Sequence, residues 1–334
     1  MRVLMISVVC RSGLFTHVRD LARELNRRGW DVRLAFQQTR EFIEENPGPL
    51  LATMAPVPYD YFSTRRELEA LVEEHRPHLL HAHSFLGFFP TCQVSRARKV
   101  PFVVTLHSVF RWSRYFRDVL REAQGIIAVG PAQASSASPF KVSIIENGID
   151  LTDYPAPAAL EVPERIEILW YGRVDGKLVK GLRALDGSAP FLPTNVSLRA
   201  LGSPGWPLKN IPLLGWQDRP VDVLRRSHMV FAHSRSLREA MACGNIGMLL
   251  GYGYGGRVTE EKIKSGLILD AFPQYPLQRP VISRLVREIR ELTQDPTRIP
   301  PLQREARRIA EEYFSLKVMV DRTIALYQGS GQGD

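Results

Sequence analysis

HMVFAHSRSLREAMACG, residues 228–244, predicts a buried strand that runs through a short polar loop into a helix. The apolar run at its start is typical of a strand covered on both faces, and the Leu, Glu, Ala and Met that follow are good helix formers. Ser234 and Ser236 are N-cap candidates. The first-turn amides would then suit a phosphate group, while Glu239 would either accept hydrogen bonds from ribose hydroxyls or complement the helix dipole.

The same alternation of short apolar runs and helical segments extends in both directions from this stretch. In the N-terminal half the runs are VLMISVV (3–9), WDVRLAF (30–36), HLLHAH (78–83), PFVVTLH (101–107), GIIAVG (125–130) and VSIIEN (142–147). The C-terminal half adds RIEILWYG (165–172), VSLRALG (196–202), NIPLLG (210–215), NIGMLLG (245–251) and GLILD (266–270). This pattern predicts an α/β protein with parallel, Rossmann-like sheets.

The length of the chain predicts more than one domain. A single hydrophobic core stops growing at about 250–300 residues, and this chain has 334. The stretch LTDYPAPAALEVPE, residues 151–164, holds three prolines and no strand or helix pattern, so it is the candidate linker. We therefore expect domains at 1–155 and 156–305, followed by a helical C-terminal segment at 306–328.

Composition narrows the class of protein and of partner. There is no apolar run of the roughly 20 residues that a membrane span needs, and the N-terminus lacks the pattern of a signal peptide, so we expect a cytoplasmic protein. The three scattered cysteines show no metal-site spacing. A net charge of +9 and a pI near 9.6 favour an anionic partner. Nucleotides and anionic lipid surfaces fit, whereas no nucleic-acid module is recognisable.

Polar residues follow several of the N-terminal strands, where parallel sheets bind ligands. Gly13 precedes the first helix and would let a ligand approach its N-terminus, although a plain turn explains it equally well. His83 and His107 end strands, and His81 shares a face with His83, so at least one of the pair is expected to be packed. Asn147 precedes a glycine in IIENGID, residues 144–150, as either a tight turn or a ligand contact.

Basic residues follow the first strand of the second domain. WYGRVDGKLVKG, residues 170–181, places Arg173, Lys177 and Lys180 near a strand end, where a pair of cations would clamp a diphosphate without a metal. A basic solvated loop is the competing explanation. The glycine-rich stretch GYGYGG, residues 251–256, lacks the Lys and Ser/Thr of a P-loop and is interpreted as a mobile loop.

Together these segments resemble a known family. SGLFTHVRDLARELNRRGWDV, LLHAHS, VVTLHS, IIENGID, YGRVDGKLVKG and REAMACG occur in the order seen in retaining glycosyltransferases of the GT-B fold, family 4 (glycosyl transferases group 1). The resemblance covers nearly the whole chain. Its most specific parts are EAMACG and the order of NGID followed by GR and KG.

The resemblance implies an α/β GT-B fold, with two Rossmann-like domains facing across a cleft and a C-terminal helix crossing back to the N-terminal domain. It implies a hexosyltransferase that moves a sugar from a UDP- or GDP-sugar to a glycan, lipid-linked or small-molecule acceptor, with retention of configuration. No cofactor or metal is expected. The setting would be polysaccharide or glycoconjugate biosynthesis in the cytoplasm, with peripheral contact to the anionic inner surface of the membrane.

The resemblance also implies roles for individual residues. The C-terminal domain would hold the nucleotide, with Glu239 on the ribose and Arg173 and Lys180 on the phosphates. His107 would lie near the donor sugar and Gly13 near the phosphates. The remaining nucleotide-sugar contacts are expected at His83, Asn147, Gly202, Trp216, Ser236, Leu237, Ala240 and Met241.

Two departures from the family pattern affect this assignment. The family carries a glutamate eight positions before Glu239, where this chain has Phe231. Arg235, Ser236 or the GYGYGG stretch would have to substitute, or the handling of the sugar has changed. The family's arginine and lysine also lie closer together than Arg173 and Lys180 do, so Lys177 is the other candidate for the phosphate lysine.

Three functions are therefore in competition. The first is sugar transfer from a nucleotide donor, with UDP preferred. The second is a catalytically silent relative that binds a nucleotide or a glycan as a partner subunit, which the missing glutamate favours. The third is nucleotide-sugar epimerisation, for which the sequence shows few carboxylates at strand ends.

Overall fold

The computed structural model describes residues 1–10, 12–38, 48–172, 176, 179–202, 206–217, 219–271 and 275–329. The chain divides into two compact units. Unit 1 consists of Met1–Gly148 together with Leu316–Asp334, and unit 2 is Ile149–Ser315.

Unit 1 is built on a seven-stranded sheet in the order β3-β2-β1-β4-β5-β6-β7, and its neighbouring strands pair in parallel. The strands are β1 (Arg2–Ser7), β2 (Asp31–Gln37), β3 (Tyr59–Phe62), β4 (Leu79–Ala82), β5 (Phe102–Leu106), β6 (Gly125–Ala128) and β7 (Ser143–Ile144). Alternate residues of β1 enter two separate cores, with Val3 and Met5 in one and Leu4 and Ile6 in the other. Both faces of the sheet are therefore covered, as the continuous apolar runs predict.

The described helices of unit 1 follow its strands. They are α1 (Gly13–Arg27), α2 (Gly48–Ala52), α3 (Arg65–His75), α4 (Phe85–Arg98), α5 (Trp112–Tyr115), α6 (Arg117–Glu122), α7 (Pro131–Ser135) and the C-terminal α14 (Leu316–Tyr327). Helix α1 buries Val18, Leu21 and Leu25 because these positions repeat at the spacing of one helical face.

Helix α14 packs on α1 and completes one core of unit 1. Its Tyr327 hydroxyl lies 2.5 Å from Nδ1 of His81, and its Asp321 forms an ion pair with Arg28. A Cβ atom at Gly125 would lie 2.6 Å from the side chain of Leu326, so the helix approaches the sheet where β6 begins with a glycine.

Unit 2 is built on a five-stranded sheet in the order β12-β11-β10-β8-β9, parallel except for the edge strand β12. The strands are β8 (Ile166–Tyr171), β9 (Val196–Leu201), β10 (Met229–Ala232), β11 (Ile246–Leu250) and β12 (Tyr254–Arg257). The described helices are α8 (Val179–Ser188), α9 (Val221–Leu224), α10 (Ser234–Ala242), α11 (Glu260–Lys264), α12 (Ile282–Thr293) and α13 (Ile299–Tyr313), with 3-10 turns at Ala189–Phe191 and Pro296–Arg298.

Three segments differ from the sequence prediction. NIPLLG (210–215) and GLILD (266–270) form no strand; the first contributes a single bridge between Leu213 and Ala200. GYGYGG (251–256) is not a free loop, because it turns directly into β12, which pairs with β11. The buried Tyr254 fixes this turn by donating a hydrogen bond to Glu288.

The boundaries between the units also differ from those expected. Ile149 is fully buried in a core of unit 2, and its amide donates to the carbonyl of Phe314 at 2.7 Å. Arg307 donates to the carbonyl of Tyr154 at 3.0 Å, so the start of the proline-rich stretch is attached to unit 2. The prolines of residues 151–164 indicate that the stretch has no helix or strand. They do not locate the domain boundary, which depends on which core the stretch packs against. Unit 2 therefore begins at residue 149 and ends at 315, instead of spanning 156–305.

Among the described residues, no helix combines the length and the apolar character that a bilayer span requires.

Candidate functional site

Two predicted histidines meet at the carboxyl edge of the sheet in unit 1. His83 directly follows β4 and His107 directly follows β5, and these strands are neighbours. Nδ1 of His83 lies 3.3 Å from Nε2 of His107. The other ring nitrogen of His83, Nε2, is buried and has no hydrogen-bond partner within the part of the chain that the structure describes. A polar atom of a ligand would satisfy it.

A third histidine connects this pair to Asn147. His17 is buried in α1, and its ring centroid lies 4.8 Å from that of His107 and 5.4 Å from that of His83. Nδ1 of His17 lies 2.8 Å from Oδ1 of Asn147. The amide oxygen can only accept, so His17 Nδ1 donates this hydrogen bond. The structure thus brings together three of the predicted residues, His83, His107 and Asn147, around a residue that the sequence analysis did not select.

His81 is the packed member of the row, as its position on the same face as His83 suggests. It is fully buried between Tyr327 at 2.5 Å and Thr105 at 2.8 Å, and its ring centroid lies 3.9 Å from that of His83. Both of its nitrogens are used inside the protein, so its role is structural.

Burial keeps these imidazoles neutral. Loss of solvation lowers the pKa of His81, His83 and His107 well below the ordinary value of 6.5, and a positive charge on neighbouring histidines would lower each pKa further. At neutral pH the row therefore offers uncharged rings, which can donate and accept hydrogen bonds but do not attract an anion.

His17, His83 and His107 are also the group of described residues nearest to a metal-site arrangement. Their ligand atoms lie within 4.8 Å of one another. Nitrogens bound to a tetrahedral zinc ion at about 2.0–2.1 Å are about 3.4 Å apart. The His83–His107 distance fits this value, but the full spread of 4.8 Å is wider, and hydrogen bonding accounts for the contacts observed. The expectation of metal-free chemistry stays a prediction.

Gly13 and Gly148 occupy ordinary backbone positions in unit 1. Gly13 is the exposed first residue of α1, and a Cβ atom there would meet nothing within 4 Å. The N-cap residue Ser12 makes no side-chain capping bond, so the start of α1 is open. Among the residues that the structure describes, Gly148 does not adopt the positive φ of a tight Asn-Gly turn; its amide donates to Met319 Sδ at 3.1 Å.

In unit 2 the helix α10 starts directly after β10, but its cap is not the one expected. The N-cap residue is His233, in extended conformation, and its side chain makes no capping hydrogen bond. Ser234 has a φ of 51°, and its hydroxyl donates to Asp270 instead of capping the helix. The prediction of a serine N-cap is therefore wrong. The amide of Ser234 donates to the carbonyl of Leu269 at 2.7 Å, and the N-cap side chain leaves the next amides of the first turn to a ligand.

Glu239 is buried in α10 and both of its carboxylate oxygens are held. Arg235 Nε donates to Oε1 at 2.8 Å from one turn earlier in the helix. The hydroxyl of Tyr171, the last residue of β8, donates to Oε2 at 2.7 Å. Desolvation and the charge of Glu239 raise the pKa of Tyr171 well above 10.0, so the phenol stays protonated as a donor. Each carboxylate oxygen keeps a further lone pair, which leaves room for a ligand hydroxyl.

Lys180 lies at the start of α8, and its Nζ is 4.2 Å from the centre of the Tyr252 ring. It forms no ion pair with any residue described by the structure. The next residue, Gly181, is pressed against the turn that carries Tyr252: a Cβ atom there would lie 2.2 Å from the carbonyl oxygen of Gly251. Arg173 and Lys177, the other predicted phosphate contacts, lie outside the described residues.

The remaining predicted contacts fall into two groups. Gly202 follows β9, and its amide donates to the carbonyl of Gly215 at 3.1 Å. Trp216, which follows Gly215, is 68% exposed. Ser236 is half-buried in the first turn of α10. The side chains of Leu237, Ala240 and Met241 are fully buried in the core of unit 2, so a nucleotide could contact these three only through backbone atoms.

Sequence reasoning missed three residues of these sites, although signals for them existed. Tyr171 ends a predicted strand with a polar group, as His107 does. His17 lies one turn beyond Gly13, on the helix that follows β1. Tyr252 belongs to GYGYGG, which was interpreted by its glycines alone.

Comparisons with known proteins agree with this architecture. Residues 11–153 match the family model described as Glycosyltransferase Family 4. HepE of Anabaena, solved in complex with UDP, is 15% identical and superimposes with a TM-score of 0.71, covering 99% of this chain and 100% of that one. A glycosyltransferase from Rickettsia africae ESF-5 is 12% identical, with a TM-score of 0.72 over 100% and 99% of the two chains. The chain has a GT-B fold.

A third solved structure extends the likeness. Sucrose-phosphate synthase from Thermosynechococcus elongatus is 16% identical, with a TM-score of 0.67 over 99% of both chains. The search of curated protein sequences returned no match. The predicted fold class, an α/β GT-B protein with Rossmann-like sheets, is thereby confirmed.

Proposed function

We propose that this protein is a retaining glycosyltransferase that moves a sugar from a nucleoside-diphosphate sugar to an acceptor hydroxyl. The observation that carries the proposal is the contact between Tyr171 and Glu239. Tyr171 ends β8 and Glu239 lies in α10 after β10, and these strands are neighbours. The contact joins the end of β8 to α10, at the edge where a parallel sheet binds an anionic ligand.

In unit 2 the diphosphate lies against the first-turn amides of α10 and is clamped by Lys180 and Arg173. The positive end of the helix and the two cations offset the charge that develops as the diphosphate leaves, so no metal is needed. The fixed carboxylate of Glu239 accepts hydrogen bonds from the ribose hydroxyls with its remaining lone pairs. Gly202 and Trp216, which follow β9, border the nucleotide.

In unit 1 the neutral rings of His83 and His107 are the proposed contacts of the donor sugar. Uncharged imidazoles suit sugar hydroxyls, which donate and accept hydrogen bonds. His17 and Asn147 hold this pair in place, and Gly13 leaves the start of α1 open to the phosphates.

The reaction forms one bond and breaks one bond at the anomeric carbon. The acceptor oxygen attacks that carbon on the face from which the diphosphate departs, and the bond between the carbon and the phosphate oxygen breaks. The acceptor proton passes to the departing diphosphate. Attack on the same face retains the anomeric configuration.

The silent-partner alternative has one structural observation in its favour. Phe231, at the position of the family's second glutamate, lies inside β10 and is fully buried. This position therefore cannot contact a sugar, and no substitution of Phe231 would restore that contact without disturbing the core. Arg235, a substitute suggested by the sequence, already has its Nε bound to Glu239.

The test is release of free nucleoside diphosphate from a panel of UDP- and GDP-sugars, with and without glycan acceptors, in the presence of EDTA. We expect slow donor hydrolysis without acceptor, with UDP-sugars preferred, and its loss in Glu239→Ala and Arg173→Ala. Lys209→Ala, which removes an exposed lysine of the same unit, is the control. Nucleotide binding without turnover would identify a silent partner, and sugar conversion without release of diphosphate would identify an epimerase.

We further propose a role in polysaccharide or glycoconjugate biosynthesis, in the cytoplasm and in peripheral contact with an anionic membrane. The net charge of +9 supports attraction to such a surface. Lipid-linked acceptors would be reached from there.

A further inference from the structure

Unit 1 exposes a cluster of large aromatic side chains, here called the aromatic surface. Phe85 and Phe89 lie one turn apart on α4 and are 54% and 49% exposed. Phe110 and Tyr115 are 45% and 52% exposed, with ring centroids 5.4 Å apart. The two pairs form one surface because Phe89 and Phe110 both pack against Phe116, at 5.0 Å and 6.4 Å. Contiguous apolar exposure of this kind is unusual on a protein surface and marks an interaction site.

The surrounding sequence is basic, and the nearest acids that follow it, Asp118 and Glu122, form ion pairs with Arg121 and Arg96. Residues 76–117 include seven Lys and Arg residues and not a single Asp or Glu. Arg111, Arg114 and Arg117 are exposed beside the aromatic side chains, and within the described chain they form no ion pair. The guanidinium of Arg114 lies 5.5 Å from the centre of the Tyr115 ring. The arginines of the aromatic surface are therefore available to an external anion.

We infer that the aromatic surface and these three arginines dock the protein on an anionic phospholipid bilayer. Aromatic rings enter the headgroup region of a bilayer, where their faces meet acyl chains and their polar edges meet water. Guanidinium groups bind lipid phosphates with two hydrogen bonds each. Three exposed arginines without ion-pair partners among the described residues match a uniformly anionic surface better than a protein partner, whose surface carries both signs.

This inference gives a location to the membrane contact proposed above, and it does not depend on sugar transfer. The surface is formed by α4, α5 and the segment before α5, which follow the strands that end in His83 and His107. An acceptor held in a bilayer would thus be presented to the unit that is proposed to bind the sugar.

The test is sedimentation of the full chain with vesicles, without nucleotide or sugar. One set of vesicles is pure phosphatidylcholine and the other contains about 30% phosphatidylglycerol, at about 0.1 M salt. The wild type should bind the anionic vesicles and release them as salt rises. The triple variant Arg111→Gln/Arg114→Gln/Arg117→Gln should bind about a hundredfold more weakly, since each arginine near the surface contributes about fivefold. Phe85→Asn/Phe110→Asn should lose a similar factor.

Two matched variants of unit 2 are the controls. Arg225→Gln/Arg226→Gln/Arg304→Gln removes the same number of exposed charges, and Phe191→Asn removes a phenylalanine that is 55% exposed. Both should bind vesicles like the wild type. An equal loss in the controls, or a wild type that ignores anionic vesicles, would overturn the inference. So would a concentration-dependent dimer that the aromatic variant abolishes while vesicle binding is absent.

Discussion

The hydroxyl of Tyr171 donates a 2.7 Å hydrogen bond to the carboxylate of Glu239, joining the end of β8 to the second turn of α10. The bond spans 68 residues of sequence. With Arg235 on the other oxygen, the carboxylate is fixed in position before any ligand binds. A fixed acceptor loses less side-chain entropy when a ribose binds to it, which is the advantage of preorganisation.

Replacing Tyr171 with Phe should lower the free energy of unfolding by about 1.5 kcal/mol, because a hydrogen bond to a buried charged group is lost. Urea unfolding of wild type and variant would measure the change. Tyr313→Phe is the matched control, since Tyr313 donates to the more exposed Glu260 at 3.2 Å and should change stability little. Equal effects of the two substitutions would contradict the structural role of Tyr171.

Substitution of the phosphate lysine should weaken UDP binding by about 1.5–3 kcal/mol, as expected for a charge-assisted hydrogen bond. Titration calorimetry of Lys180→Met and Lys177→Met would show which lysine has this role, and we expect Lys180. The exposed Lys209→Met is the control and should bind UDP like the wild type. Unchanged affinity in Lys180→Met would remove it from the proposed site.

Alanine at Gly181 should destabilise the protein by about 2–3 kcal/mol, although alanine favours a helix over glycine. The reason is that its Cβ would lie 2.2 Å from the backbone oxygen of Gly251. Gly13→Ala is the opposite case, since nothing lies within 4 Å of that position, and it should change stability by no more than about 0.5 kcal/mol. Thermal unfolding measures both; stabilisation by Gly181→Ala would show that the turn is not packed as described.

Acidification should lower the stability of unit 1. The pKa of His81, His83 and His107 is lowered in the folded chain, so below about pH 6.5 the unfolded chain binds protons that the folded chain does not. Stability therefore falls as pH drops from 7.5 towards 5. Removing one such histidine, as in His83→Asn, should reduce this slope by up to about 1.4 kcal/mol per pH unit.

Hydrogen exchange of the amides in β4 and β5, corrected for intrinsic pH effects, would report the loosening in this unit alone. Tyr327→Phe is the comparison variant: it loses the bond to His81 and should be less stable at every pH while keeping the slope. A slope that is identical in His83→Asn and wild type would show that the row is not protonated on unfolding.

Much of the sheet architecture was predictable from sequence because strands covered on both faces are continuously apolar. The missed strand β3 has the sequence YDYF, in which Asp60 interrupts the apolar run and the two tyrosines are exposed, so it lacks that signal. NIPLLG and GLILD have the signal without being strands, because packing against a core selects for apolar residues in any conformation. The same reasoning applies to the proline-rich stretch after residue 149. It has no helix or strand, yet its first residues pack against unit 2.

The positions of candidate residues were predictable where a residue follows directly on a strand, as His83 and His107 do. Contacts between residues far apart in the sequence were not predictable. The bond between Tyr171 and Glu239 and the link from His17 to Asn147 depend on which strands are neighbours, and a single sequence does not contain that information. The predicted cap of α10 was wrong because of another such contact: the hydroxyl of Ser234 donates to Asp270, 36 residues further along the chain.

Helix α14 has a consequence for dividing the chain into fragments. The family model matches residues 11–153, yet the unit that contains them is closed by a segment from the far end of the sequence. A fragment ending near residue 150 would leave His81 without Tyr327 and one core open to water. Adding residues 316–329 as a separate peptide should close this core again. The segment matched by the family model and the segment that folds as one unit therefore have different ends.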